Sequence, residues 1–221
     1  MPKLFIDLDG PILDVSVKYC QVYSDLVCEL GGVPLAIQDY WCRKRSRVPD
    51  SETLQASDVA GAELPRFRQL RKDRIETQDY WKFDRVWPEM LDLMATSPLR
   101  GKLVLVTLRN RPDALEEELA ALGIRDWFEA VLSTNGDAAG PDRHSAKVEI
   151  VSRKFGNVNG GWFIGDTETD LRAGNALGLR RAAVTFGIRE AALLEKENPE
   201  ELFHHPSEMT RWLESLAHQT L

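Results

Sequence analysis

Leu4-Phe5-Ile6-Asp7-Leu8-Asp9-Gly10 is an apolar run that ends in two carboxylates one residue apart, followed by a glycine. A continuous apolar run this short suits a strand buried on both faces, as in a parallel sheet. Side chains at i and i+2 of an extended chain share a face, so Asp7 and Asp9 look into one space. Gly10 permits backbone angles that an L-residue resists. Ligands of open α/β sheets collect beyond the carboxyl ends of the strands. Two carboxylates there repel unless a cation or a shared proton intervenes.

Outward from this strand, Val15, Tyr19, Val22, Leu26 and Leu30 fall at helical spacing, and Gly31-Gly32 with Pro34 supply a stop. From there to about residue 85 the pattern is helical and polar, with breaks at Pro49, Gly61 and Pro65 and no strand, which reads as an all-helical insertion. Strand signals resume at Leu103–Val106 and reach Thr107 and Asn110. A helix then runs from Pro112, a residue suited to a first turn, to Leu122 with Gly123 behind it. A strand at Ala130–Leu132, a helix at Ser145–Phe155 closed by Gly156, and a strand at Trp162–Ile164 follow. That last strand enters Gly165-Asp166-Thr167-Glu168-Thr169-Asp170. A helix to Leu177 and Gly178 leads to a strand at Ala182–Phe186. Alternating strands and helices mean a parallel sheet with right-handed crossovers.

The 221 residues are enough for one large domain or two smaller ones, and 43% hydrophobic with 29% charged residues is an ordinary globular balance. No apolar stretch approaches the roughly 20 residues that span a bilayer. The amino terminus enters a strand without a leader pattern, so a cytoplasmic protein is expected, away from membranes. Cys20, Cys28 and Cys42 contain no Cys-x-x-Cys pair and read as reduced, buried thiols. The net charge of −7 argues against a nucleic-acid partner. Residues 39–85 nonetheless hold eleven Lys/Arg against nine Asp/Glu, a local +2, so the remainder carries −9.

Polar groups recur at the carboxyl ends of the expected strands, or just before a helix that feeds one: Asp7 and Asp9, Thr107, Lys147, then Asp166 and Asp170. This set, in this order, resembles the haloacid dehalogenase superfamily, and most closely its phosphoglycolate-phosphatase-like branch with a helical (C1-type) cap. The resemblance implies a Rossmann-like three-layer α/β core over 1–14 and 86–221, with sheet order 5-4-1-2-3 and the cap over 15–85. It implies a Mg²⁺-dependent phosphatase acting on a small phosphorylated metabolite, phosphoglycolate-like or a sugar phosphate. Asp7 would be the nucleophile that forms an aspartyl-phosphate, and Asp9 the general acid and then base. Asp7 and Asp166 carboxylates with the Asp9 carbonyl would hold Mg²⁺, with Asp170 as a further ligand or an anchor behind it. Thr107 and the N–H groups after it, beginning at Leu108, would bind phosphoryl oxygens, and Lys147 would offset the clustered negative charge.

The chain departs from the family pattern at two points. Pro11 stands where the family commonly has Thr, and Lys147 is followed by Val148 rather than the frequent proline, which leaves Arg143 and Lys154 as weaker candidates for its role. An acid at Asp9 points away from the dehalogenating members, whose leaving halide needs no proton. Arg43, Arg45 and Arg47 are candidate substrate contacts, and a solvated helix face is the plainer reading of that run. Trp41, Trp81, Trp87, Tyr40 and Tyr80 suit the core of the insertion and its hinge. His144, His204, His205 and His218 make no metal spacing with a cysteine; His204-His205-Pro206 reads as the end of an edge strand before a helix capped by Ser207. A phosphomutase of the same superfamily is the rival enzyme, and a non-catalytic phospho-receiver or binding module the rival from another class. Either a monomer or a homodimer is compatible with the sequence.

Overall fold

The structure is a computed structural model that describes residues 2–134, 143–158 and 160–218. The chain divides into two compact units, Met1–Asp14 with Arg85–Leu221, and Val15–Asp84. Along the chain, β1 (Leu4–Ile6) and β2 (Leu13–Asp14) come first. The helical unit follows with α1 (Ser16–Glu29), α2 (Ile37–Arg45), α3 (Asp50–Gln55), α4 (Leu64–Arg74) and α5 (Gln78–Trp81). The α/β unit resumes with β3 (Arg85–Val86), α6 (Pro88–Thr96), β4 (Leu103–Val106), α7 (Pro112–Ala121), β5 (Phe128–Leu132) and α8 (Arg143–Phe155). It ends with β6 (Trp162–Gly165), α9 (Glu168–Ala176), β7 (Arg180–Val184), α10 (Ala191–Leu194), β8 (Glu201–Phe203) and α11 (Pro206–His218).

The main sheet has the order β5-β4-β1-β6-β7-β8, and every neighbouring pair is parallel. Numbered by the strands expected from sequence, this is 5-4-1-2-3 with β8 added beyond the fifth. β1 lies between β4 and β6, which explains its uninterrupted apolar character: Leu4, Phe5 and Ile6 are at most 1% exposed. Phe5, Val104, Val106 and Phe163 pack with Val151 of α8 and Ala173 of α9. Trp162 of β6 meets Trp212 of α11 edge-on at 4.8 Å, and α11 also packs on α6. Helices therefore cover the sheet in layers, the arrangement expected of an α/β core.

The chain leaves the α/β unit at β2 and returns at β3, and these two strands pair antiparallel, Leu13 with Val86 and Asp14 with Arg85. Arg85 thus falls on the α/β side of the division. In the helical unit, Val22, Tyr23, Leu26 and Val27 of α1 form a core with Tyr40, Leu54, Phe67 and Tyr80. Tyr23 and Tyr40 stack at 4.0 Å, and a Lys18–Asp84 pair at 2.5 Å is buried at the edge of that unit.

Several local expectations change. Pro65 does not break a helix; it sits in the first turn of α4, where a missing N–H costs nothing. β7 begins at Arg180 and ends at Val184, two residues before the expected span at each end, because it takes its register from β6, with Arg180 opposite Trp162. Only Cys20 is buried; Cys28 and Cys42 lie on exposed positions of α1 and α2. Ser207 is inside the first turn of α11, and the amino-terminal N–H groups of His204 and His205 are bonded instead by Glu208 Oε2, at 2.7 and 3.2 Å. Sequence reading passed over β2, β3 and α6. No helix among the described residues is long and apolar enough to cross a membrane.

Candidate active site

The parallel register brings the carboxyl ends of β1, β4 and β6 to one edge. Asp7 continues the ladder of β1, its N–H donating to Ile164 O at 3.0 Å, and Thr107 continues β4 through Leu132 O at 2.9 Å. Asp166 follows directly after β6, and Thr167 with Asp170 forms a reciprocal cap on α9. Lys147, the fifth residue of α8, reaches the same space from the helix layer.

Lys147 is 1% exposed, and its ammonium donates to Val106 O at 2.9 Å, Asp170 Oδ1 at 2.6 Å and Asp7 Oδ1 at 3.0 Å. These are all three of its hydrogens. Burial works to lower its pKa, but Asp170 and Asp7 outweigh that and hold it above the ordinary value. Asp170 is fully committed: Oδ1 meets Lys147, and Oδ2 accepts from Thr167 N at 3.1 Å and Thr167 Oγ1 at 2.6 Å. Asp7 Oδ1 accepts from Lys147 and from Leu8 N–H at 2.9 Å, so Oδ2 is the oxygen left for chemistry. Burial, partly countered by Lys147, pushes Asp7 up to about 7.

Asp166 is 0% exposed. Its Oδ2 accepts the Ile188 N–H at 2.5 Å, while the buried Oδ1 has no hydrogen-bond partner. Burial first, then the Asp170 and Asp7 charges, push its carboxyl well above the usual range. A Cβ on Gly10 or on Gly187 would lie 2.2 Å from Asp166 Oδ2, so backbone closes on this carboxylate from two sides. Gly10 also has φ +98° and opens the tight turn in which Gly10 N–H donates to Leu13 O. Pro11 lies in that turn, whose bonds come from Gly10, Ile12 and Leu13, so its missing N–H is not needed there.

Asp7, Asp166 and Asp170 present oxygens within 4.8 Å of one another. Three buried acids against one lysine leave a deficit of positive charge, and an orphaned buried oxygen costs about 1–3 kcal/mol if nothing binds it. A hard divalent cation, which takes oxygen ligands, answers both. The residues fit such an ion, with Asp166 and Asp7 as carboxylate donors. Asp170, whose oxygens are spent on Lys147 and Thr167, suits the anchor role rather than that of a ligand.

Asp9 sits at the same edge but faces Arg109, which sequence reading missed. Arg109 follows Thr107 by two residues and is buried. It bonds Asp9 Oδ1 from Nη2 at 2.7 Å and Asp9 Oδ2 from Nε at 3.2 Å. It also faces Glu118, 0% exposed on α7. A signal was present, since Glu118 shares a helix face with the buried Leu115 and Leu119, and an acid on such a face requires a partner. Thr107 Oγ1 accepts the Arg109 N–H at 3.3 Å, and Leu108 is half-buried beside it.

The remaining candidates lie elsewhere. Arg43 and Arg45 are in the last turn of α2 in the helical unit, with Lys44, where cations also favour a helix carboxyl end. Arg47 follows with φ +60° and is exposed. Arg143 opens α8 and Lys154 lies in its last turn, while the lysine that meets the acid cluster is Lys147. Tyr40 and Tyr80 are in the helical core, Trp41 packs against it, and Trp81 is buried in that unit. Trp87 belongs to the α/β unit, where its Nε1 donates to Gly10 O at 2.7 Å.

The family model described as haloacid dehalogenase-like hydrolase matches residues 4–178. A phosphoglycolate phosphatase of Synechococcus elongatus is 24% identical over 99% of this chain and 100% of its own length. One from Neisseria gonorrhoeae is 25% identical over 87% and 83%. Among solved structures, a haloacid dehalogenase-like family hydrolase from Streptococcus pneumoniae superposes with a TM-score of 0.72 at 19% identity, covering 96% of this chain and 98% of that one. A Thermotoga maritima protein named as a β-phosphoglucomutase gives 0.66 at 16% identity, over 98% and 100%. With the family pattern spanning residues 4–178 and these relatives matching along nearly the whole length, the chain belongs to the haloacid dehalogenase-like hydrolases.

Proposed function

We propose that the chain is a Mg²⁺-dependent phosphatase of small phosphomonoesters that works through an aspartyl-phosphate on Asp7. The observation that carries this reading is the Asp7 carboxylate: one oxygen is held by Lys147 and Leu8, the other is unengaged, and the Asp166 carboxylate lies beside it with an orphaned oxygen. Asp7 Oδ2 forms a bond to phosphorus as the ester oxygen departs, and Asp9 gives that oxygen its proton. Asp9 then takes a proton from the water that attacks phosphorus and frees Asp7. Thr107 and the N–H groups after it hold phosphoryl oxygens, and Lys147 keeps Asp7 oriented while offsetting its charge. Asp166 and Asp7 carboxylates with the Asp9 carbonyl would hold the cation, with Asp170 as an anchor behind them. When bound, Mg²⁺ supplies the positive charge that lets the clustered acids ionise together and stabilises charge on the phosphoryl group.

The named relatives are phosphoglycolate phosphatases, so phosphoglycolate-like esters and sugar phosphates are the substrates to try first. A phosphomutase is the runner-up; the intact Gly165-Asp166-Thr167 turn, with Thr167 capping α9, favours the phosphatase. Released inorganic phosphate, measured across phosphorylated metabolites with Mg²⁺ and with EDTA, tests the proposal. Free phosphate that appears only with Mg²⁺ supports it. Transfer of phosphate between positions of one sugar without release would favour the mutase, and full turnover in EDTA would exclude the metal.

A further inference from the structure

Arg109 is fixed at both ends. Its N–H donates to Thr107 Oγ1 at 3.3 Å, and its carbonyl accepts from Thr134 N at 3.4 Å and Thr134 Oγ1 at 3.3 Å. Its guanidinium bonds both oxygens of Asp9, at 2.7 and 3.2 Å, and lies 3.2 Å from Glu118 Oε2 by Nη1 and 3.5 Å from Oε1 by Nη2. A fork of this kind fixes the plane of a carboxylate as well as its position.

Neutralising Arg109 does not require Asp9. Glu118 is fully buried, opposes the guanidinium directly and is held on the buried face of α7. A second acid on the same cation adds little stability, since buried ion pairs roughly break even against apolar packing. What the Asp9 contact does provide is geometric. Asp9 lies in the loop after β1 with its side chain 15% exposed, and Arg109 holds both of its oxygens. Proton transfer to a departing oxygen tolerates little misplacement, an error of about 1 Å costing on the order of 10²-fold.

We propose that Arg109, braced by Glu118, is a positioning residue that aims the Asp9 carboxyl at the leaving oxygen; this rests on the reading of Asp9 as the general acid. The interaction is not static during turnover. A carboxyl that carries a proton on one oxygen must surrender an Arg109 bond on that oxygen, and Glu118 keeps the guanidinium in place while Asp9 moves.

The test compares kcat/KM, which reports the steps up to loss of the leaving group and not the shared hydrolysis that Asp9 also serves, for the best alkyl phosphate with kcat/KM for p-nitrophenyl phosphate, whose leaving group departs without a proton. Arg109→Leu lowers the alkyl-to-aryl ratio about tenfold or more, part of the 10²–10⁴-fold that a general acid supplies, with KM moving less than about threefold. Arg109→Lys keeps the charge but loses the fork, and gives a similar fall. Glu118→Gln gives a smaller fall in the same direction, and together with Arg109→Lys it serves if Arg109→Leu does not fold. In an Asp9→Asn background, Arg109→Lys lowers the ratio no further. If Asp9→Asn itself leaves the ratio unchanged, the acid assignment fails and the proposal with it. If Asp9→Asn lowers the ratio while the Arg109 variants lower both esters equally, or neither, the proposal alone is overturned.

Discussion

At the scale of single residues, the site is a problem of excess negative charge in a buried place. Burial raises Asp7 to about 7 and Asp166 well above the carboxylate range in the metal-free protein. A carboxyl whose folded pKa is raised contributes stability that is intact below its unfolded pKa and is lost as pH rises through the folded value. The metal-free protein therefore loses stability between about pH 4 and pH 7, on the order of a few kcal/mol from Asp7 at 1.36 kcal/mol per pH unit. In thermal melts with EDTA, Tm falls by several degrees across that window. Asp7→Asn reduces the fall and Mg²⁺ flattens it. A metal-free Tm that rises over this range would contradict the assignment. Most of these residues were legible in sequence because each ends a strand or opens a helix. Arg109 was not, because its role depends on Glu118, nine residues away on a helix whose buried face had to be known first.

Among the elements, β1 and the turn after it carry most of the meaning. Continuous apolar residues read as a strand buried on both faces, and the structure seats β1 between β4 and β6, which places Asp7 between Thr107 and Asp166. Gly10 makes the turn possible in two ways, with φ +98° and with Asp166 Oδ2 where a Cβ would be. Gly10→Ala therefore costs about 1–3 kcal/mol and lowers kcat at least tenfold by displacing Asp166. Gly123→Ala is the control: φ is +70° and nothing lies within 4 Å of its Cβ, so stability drops by about 1 kcal/mol and kcat stays. Equal activities for the two variants would refute the close-packed turn. The two-residue strands β2 and β3 escaped sequence reading because their register comes from pairing across some seventy intervening residues, which local pattern does not reveal. β7 was misplaced for the same reason, its ends being set by β6.

For the molecule as a whole, the order of strands and helices was legible in the alternation of apolar runs and glycine stops, whereas substrate choice was not. We propose that the stretch 39–85, with its local +2 against the acidic remainder, selects among phosphate esters by charge. Replacing Arg43, Arg45 and Arg47 together with Gln lowers kcat/KM for the best anionic substrate about tenfold more than for p-nitrophenyl phosphate. An equal loss on both esters would place these arginines in folding instead. The central claim is the covalent step on Asp7, and its most direct measurement is mass spectrometry of enzyme acid-quenched during turnover with Mg²⁺. A covalent step there puts one phosphoryl group on the peptide that contains Asp7, and none on a folded Asp7→Asn variant that no longer releases phosphate. Continued phosphate release by that folded variant, or a phosphoryl group carried on another residue, would contradict it.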